Sequence, residues 1–217
     1  MKFLKKKEAK KEKIVVETKG PKKLKNLTVY CGSWYGNHPK YKQLAIDLGN
    51  EMVKHGVSLV YGGGLFGMMG VLAKTIHDQG GNVIPITMKH IMKFERSDKF
   101  TNEQTGQPLP LKGVKQIISK DINSRKRLLY TKGDAICVLP GSVGTLDELY
   151  EILVLRHLGI LKKPVIILNL DGYWNIFQKQ IEHVTAEGFV GPEILDTYRM
   201  VSSAEGVIPA IHSMMAE

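Results

Sequence analysis

Three times along this chain a short apolar run stops at a glycine-bearing turn and a helical pattern takes over. The runs are residues 27–31, 57–61 and 135–139. Their turns are Cys31-Gly-Ser-Trp-Tyr-Gly36, Tyr61-Gly-Gly-Gly-Leu-Phe-Gly67 and Leu139-Pro-Gly-Ser-Val-Gly144. A short run with little polar alternation reads as a strand buried on both faces, and such strands belong to parallel sheets covered by helices. Further runs at 83–86, 114–118 and 165–170 alternate with helical patterns at 41–53, 68–78, 121–131, 173–187 and 204–214, and one starting at Thr145. The class is therefore α/β: a Rossmann-like, doubly wound, mostly parallel sheet with helices on both faces, in a single domain. Parallel strands bring all three glycine turns to the carboxyl edge of the sheet, where such folds hold their ligands. Residues 89–113, with Pro108 and Pro110, read as a long irregular connection, either a lid over that edge or an ordinary surface insertion.

Charge is informative only once it is located. The chain of 217 residues carries a net charge of +10, but residues 1–25 alone hold eleven Lys against three Glu. The remaining residues balance at +2. Residues 1–25 thus read as a Lys-rich disordered tail and residues 26–217 as the folded domain; a solvated tail is preferred over a contact with nucleic acid or an anionic membrane, which is the alternative reading of this charge. No apolar run approaches the roughly 18 residues of a membrane span, and the tail lacks the apolar core of a secretory signal. Cys31 and Cys137 show no C-x-x-C pattern and read as small buried hydrophobes, which fits a cytoplasmic location. The seven His form no ligand spacing, so the sequence calls for no metal and no organic cofactor.

Residues 139–148 carry the chemistry. A strand, a tight turn and a helix start at Thr145 place the N–H groups of Gly141, Ser142, Val143, Gly144 and Thr145 beside the positive end of a helix dipole, which makes an anion site. Glu148 stands next to it. Two readings of Glu148 stay open from pattern alone. Thr145-x-x-Glu148 spells a capping box, in which Glu bonds back to the helix start; alternatively the carboxylate faces the ligand. Gly62-x-Gly64-x-x-Gly67 matches the dinucleotide fingerprint, but no acid stands about 20 residues on, in Val83-Ile-Pro-Ile-Thr-Met-Lys-His90, to hold a ribose diol. The chain also lacks a G-x-x-x-x-G-K-[ST] loop. Arg125, Lys126 and Arg127 point about 100° apart on a helix, so at most two can face the strand ends.

Taken together, Cys31-Gly-Ser-x-x-Gly36, Gly62-Gly-Gly-x-x-Gly-x-Met-Gly70, Arg125-Lys126, Pro140-Gly-x-x-Gly-Thr-x-x-Glu148 and Asp171-Gly-Tyr173 resemble the LOG (Lonely Guy) family across about residues 26–212. The resemblance implies a phosphoribohydrolase acting on a nucleoside 5′-monophosphate, AMP or a cytokinin riboside monophosphate. It implies Arg125 and Glu148 as the catalytic pair. It places phosphate and ribose among Gly62, Gly63, Gly64 and the 141–145 turn, with Ser33 and Lys126 beside them, and it implies a homodimer. In that mechanism the helix N-terminus keeps Glu148 ionised, and Glu148 stabilises an oxocarbenium-like ribose. Two spellings depart from the family. Ser142 replaces a glycine, a strain if that position needs positive φ, and Ile122-Asn123 replace a Met-His pair before Arg125. A non-catalytic nucleotide-binding protein, its turn spoiled by Ser142, is the alternative.

Overall fold

The computed structural model describes residues 23–95 and 111–217. Seven parallel strands form one sheet in the order β4-β3-β2-β1-β5-β6-β7. In chain order they are β1 (Asn26–Tyr30), β2 (Ser58–Tyr61), β3 (Val83–Met88), β4 (Ile117–Ser119), β5 (Ala135–Val138), β6 (Val165–Leu168) and β7 (Arg199–Val201). The helices between and after them are α1 (Pro39–Lys54), α2 (Gly67–Asp78), α3 (Lys89–Glu95), α4 (Ile122–Lys132), α5 (Val143–His157), α6 (Asn175–Ala186) and α7 (Val207–Ala216). The chain starts in the middle of the sheet, winds outward to β4, and returns to place β5 against the other side of β1. That reversal opens a crevice beyond the carboxyl ends of β1 and β5.

Alternation along the strands divides the core. Leu27, Val29, Leu59, Tyr61, Cys137 and Ile166 face α1, α2 and α7 on one side. Tyr30, Val60, Ile136, Val138, Val165 and Ile167 face α4, α5 and α6 on the other. All four residues of β6 are fully buried, which is why it reads as an unbroken apolar run. Each such aliphatic side chain contributes roughly 1.5–3 kcal/mol by leaving water. Leu24, ahead of β1, already packs in the first cluster, and the Lys25 N–H donates to Asp134. Residues 1–22, most of the Lys-rich tail, lie outside the described residues, as do 96–110 of the long connection.

Several boundaries shift from the sequence expectation. The strand expected at 114–118 is the three-residue β4, and residues 89–95 of the expected irregular connection form α3. β7 was not expected: Arg199, Met200 and Val201 are all half-buried, so this edge strand lacks an apolar signature. α2 begins at Gly67, one residue before the expected Met68; Gly67 takes φ 55°, and a Cβ there would strike the Ser33–Trp34 backbone.

The helix that matters most for the site is α4, and both of its ends are pinned. Asp121 caps the start, accepting the Ser124 N–H at 2.7 Å. Thr28, at the centre of the sheet, donates its hydroxyl to the Leu129 carbonyl at 2.6 Å. At the far end the Lys163 ammonium donates to the carbonyls of Tyr130, Thr131 and Gly133 at 2.8, 2.8 and 2.5 Å. One cation thus satisfies carbonyls that a helix C-terminus leaves unpaired and opposes the negative end of its dipole. Lys163→Met should cost about 2 kcal/mol, seen as a drop of roughly 4–8 °C in the thermal unfolding midpoint. An unchanged midpoint would show that the three bonds contribute nothing net.

Candidate active site

The β5–α5 turn is built around an absent side chain. A Cβ on Gly141 would collide with the Thr145 hydroxyl, so the chain can fold back on the helix start only with glycine there. The first bond of α5 runs from the Leu146 N–H to the Ser142 carbonyl at 3.0 Å. The N–H groups of Val143, Gly144 and Thr145 therefore have no acceptor within the helix, and they carry its positive end. Ser142, Gly144 and Thr145 line a cleft of about 250 Å³ together with Ser33, Gly62, Arg125, Lys126 and Glu148. The three turns do converge.

Arg125 is 8% exposed and holds the site together. Its Nε donates to the Ile86 carbonyl at 3.1 Å, its Nη2 to the Gly62 carbonyl at 3.1 Å, and its Nη1 to Glu148 Oε1 at 3.2 Å. The glycine at 62 is a steric requirement, since a Cβ there would collide with the guanidinium. The glycine-rich turn after β2 is thus the seat of an arginine. Gly63, at φ 79°, and Gly64 are buried behind it and do not line the cleft.

Burial raises the Glu148 carboxyl to about 7, and the Arg125 charge only partly offsets that. This corrects the expectation that the helix N-terminus keeps Glu148 ionised. The helix begins at Val143, so Glu148 lies in its second turn, where the dipole has faded. The same boundary removes the capping box. Ser142 is the N-cap, without a side-chain capping bond, and Thr145 is buried in the first turn. Glu148 is bonded to Arg125 instead.

Ser142 has φ −99°, which any residue adopts, so the strain on which the non-catalytic alternative rested is absent. Lys126 faces the cleft but is held by Asp147 at 3.0 Å and Glu151 at 3.3 Å. Burial opposes its charge, yet the hydrogen bond to Asp147 and the nearby Glu151 prevail and raise its pKa above the ordinary lysine value. Arg127 points to solvent. Val143 is 79% exposed and Gly141 lines a neighbouring pocket, so neither side of the turn's middle reaches the cleft through a side chain. Sequence reasoning missed Tyr30, Cys31, Met69, Ile91, Ile122 and Asp147, all of which line it. Cys31 and Met69 stand within the glycine motifs that carry the family resemblance and Asp147 is the neighbour of Glu148, whereas Tyr30 and Ile91 had no visible signal. Asn123 does not line the cleft.

Fold and site together define a Rossmann-like protein with helix-start N–H groups that lack an acceptor within the helix at the topological switch point, and a buried Arg–Glu pair beside them. A family model described as "Possible lysine decarboxylase" matches residues 69–211. The cytokinin riboside 5′-monophosphate phosphoribohydrolase LOG3 of Arabidopsis thaliana is 39% identical over 170 residues, 78% of this chain and 74% of that one. The corresponding enzyme LOG of Oryza sativa subsp. japonica is 37% identical over 182 residues, 84% of this chain and 69% of that one. The chain belongs to this LOG family of phosphoribohydrolases, hydrolases of a nucleotide N-glycosidic bond. Among solved structures, the molybdenum cofactor binding protein of Rippkaea orientalis matches with a TM-score of 0.60 at 19% identity, covering 90% of this chain and 99% of that one, a likeness of fold. The molybdenum cofactor carrier protein of Chlamydomonas reinhardtii does so at 0.60 and 16%, covering 90% and 100%. An amine nucleophile, as a decarboxylase acting through a lysine needs, requires a lowered pKa. Lys126, the lysine on the cleft, is shifted the other way.

The raised Glu148 carboxyl has a stability consequence with a defined sign. Its value in the fold, about 7, lies above its ordinary value near 4.5, so folding favours the protonated form. That contribution is fully present below about pH 4.5 and is lost as the pH rises through about 7. Glu148→Gln cannot ionise. Its stability relative to the parent should increase between pH 4.5 and 8 by on the order of 1–3 kcal/mol in urea unfolding. A pH-independent difference would remove the shift.

Proposed function

We propose that this protein hydrolyses the N-glycosidic bond of a purine-type nucleoside 5′-monophosphate, AMP or a cytokinin riboside monophosphate, releasing free base and ribose 5-phosphate. The observation that carries the reading is the placement of a backbone anion site and a buried Arg125–Glu148 pair in one cleft of about 250 Å³. The names of the LOG relatives support the substrate class.

In this mechanism the 5′-phosphate lies on the first turn of α5, against the N–H groups of Val143, Gly144 and Thr145 with Ser142 and Ser33 beside it. Its binding energy orients the ribose over Glu148. The C1′–N9 bond breaks with its electron pair leaving on the base, and the ribose acquires oxocarbenium character. Glu148, as carboxylate, faces that charge and takes a proton from the water that adds to C1′. The departing base takes a proton from solvent and Glu148 returns its own to solvent, so that overall one water supplies OH to C1′ and H to the base. Arg125 holds the substrate with N–H groups not committed to Ile86, Gly62 and Glu148. A carboxyl with a pKa near 7 suits such proton traffic at neutral pH. Residues 26–217 form the catalytic unit, in the cytoplasm, and no cofactor takes part.

The assay is incubation with AMP and isopentenyl-AMP, followed by detection of free base and ribose 5-phosphate. Glu148→Gln should lower turnover by about 10²–10⁴-fold while the protein stays folded. In the parent, kcat/KM should rise with pH to a plateau with a midpoint near 7, because the carboxylate form is the active one and burial delays its formation. Base release that survives in Glu148→Gln, or a flat profile from pH 5 to 8.5, would sink the role given to Glu148.

The proposal extends to a homodimer. A groove between α5 and α6, lined by Tyr150, Leu153, Val154, Ile181, Val184 and Ile194, is apolar, and Val154 there is 55% exposed. Covering it with a second copy removes that surface from water. Light scattering should give twice the chain mass for the parent and the single mass for Val154→Glu. A monomeric parent would end this part of the reading.

A further inference from the structure

The glycine at 141, required by the contact with Thr145, leaves a weakness in the anion site. Without a Cβ, rotation about the Gly141 backbone is little restricted by sterics, so these alone do not fix the peptide between Gly141 and Ser142. If that peptide flipped, it would present a carbonyl where an anion needs an N–H. Something must hold it.

The turn after β6 supplies the hold. The Tyr173 hydroxyl donates to the Gly141 carbonyl at 2.6 Å, from the far side of the loop. In a trans peptide the carbonyl and the following N–H point to opposite edges. With the Gly141 oxygen tied to Tyr173, the Ser142 N–H is turned to the other edge, that of the cleft. The preceding carbonyl is secured as well, since Pro140 accepts the Gly32 N–H at 3.1 Å.

Tyr173 is itself placed by unusual backbone. Asp171, at φ 49°, is the only non-glycine residue with positive φ among the described residues, and Gly172 follows at φ 77°. Gly172 adopts its left-handed conformation freely, so the cost of the turn falls on Asp171 alone. Asp171 is paired with Lys40, at the start of α1, at 2.9 Å. Asn169 accepts the Trp174 N–H at 2.7 Å. The Tyr173 ring rests edge-on against Tyr41 and Trp174, with centroids 5.7 and 5.0 Å away. The hydroxyl is thus aimed from three sides.

We propose that Tyr173 is a positioning residue for substrate phosphate: it locks the Gly141–Ser142 peptide so that the Ser142 N–H joins the first-turn N–H groups of α5 in holding the anion. This rests on the functional reading above.

Tyr173→Phe removes the hydroxyl and keeps the ring contacts. Calorimetry with ribose 5-phosphate should show affinity about tenfold weaker than in the parent, and KM for AMP should rise by a similar factor. Turnover number should stay within about twofold and the unfolding midpoint within about 2 °C, because neither the Arg125–Glu148 pair nor the core is touched. A parent that releases base from AMP and binds ribose 5-phosphate, with Tyr173→Phe equal to it in both KM and affinity, overturns the inference and leaves the functional reading intact. A fall in turnover with KM unchanged also overturns it, because the hydroxyl would then act through the catalytic pair. A parent that neither releases base nor binds ribose 5-phosphate overturns both.

Discussion

The buried guanidinium of Arg125 is the constraint around which this site is organised. Removing a charge from water costs several kcal/mol, and the cost is tolerable only where good acceptors replace the lost hydration. Here the acceptors come from three separate parts of the fold: β3 at Ile86, the turn after β2 at Gly62, and the second turn of α5 at Glu148. None of the three can move without exposing the ion or leaving it unpaired. The requirement reaches back into α4, whose start is set by Asp121 and whose far end is set by Lys163. Sheet order serves the same arrangement: with β5 beside β1, residues of α4 and α5 line one crevice.

Glu148 feels the same site from the other side. Burial pushes its proton affinity up, and Arg125 pulls it down less strongly. The outcome near neutrality comes from two opposed effects, and it depends on how much water reaches the carboxylate. A ligand that fills the cleft excludes water from Glu148 and strengthens its attraction to Arg125 in the same act. The pair therefore suits a group that must change protonation during a reaction better than a fixed salt bridge would.

Much of this was legible from residue order. Strands buried on both faces have to be apolar, so β1, β2, β5 and β6 announce themselves, and parallel pairing puts their glycine turns on one edge. β7 is short and half-buried, and its Arg199-Met200-Val201 carries no such pattern. The site was legible in its residues and much less so in its wiring. Two of the three acceptors of Arg125 are backbone carbonyls, which every residue possesses, so no spelling reveals them. Gly62 lines the cleft and also seats the Arg125 guanidinium, a role that spelling does not reveal because a bare backbone serves a guanidinium as well as an anion. Thr145-x-x-Glu148 matches a capping box in spelling, but the helix begins two residues before Thr145, at Val143, which carries the carboxylate past the helix start to Arg125. Ile91 reaches the cleft as an ordinary apolar side chain and has no signature at all.

The cleft also separates its charges by kind. Arg125 is committed to Glu148, and Lys126 to Asp147 and Glu151, so the side-chain charges near the crevice are largely neutralised among themselves. What remains for an anion is backbone: N–H groups at a helix start, fixed in direction and unable to titrate. Under the proposed reading this division has a chemical reason. Had Arg125 been the phosphate ligand, the arriving dianion would draw the guanidinium away from Glu148. Burial alone would then drive the carboxyl further toward its protonated form, at the moment when the carboxylate is needed. A phosphate held by peptide groups leaves the pair intact, provided those groups keep their orientation.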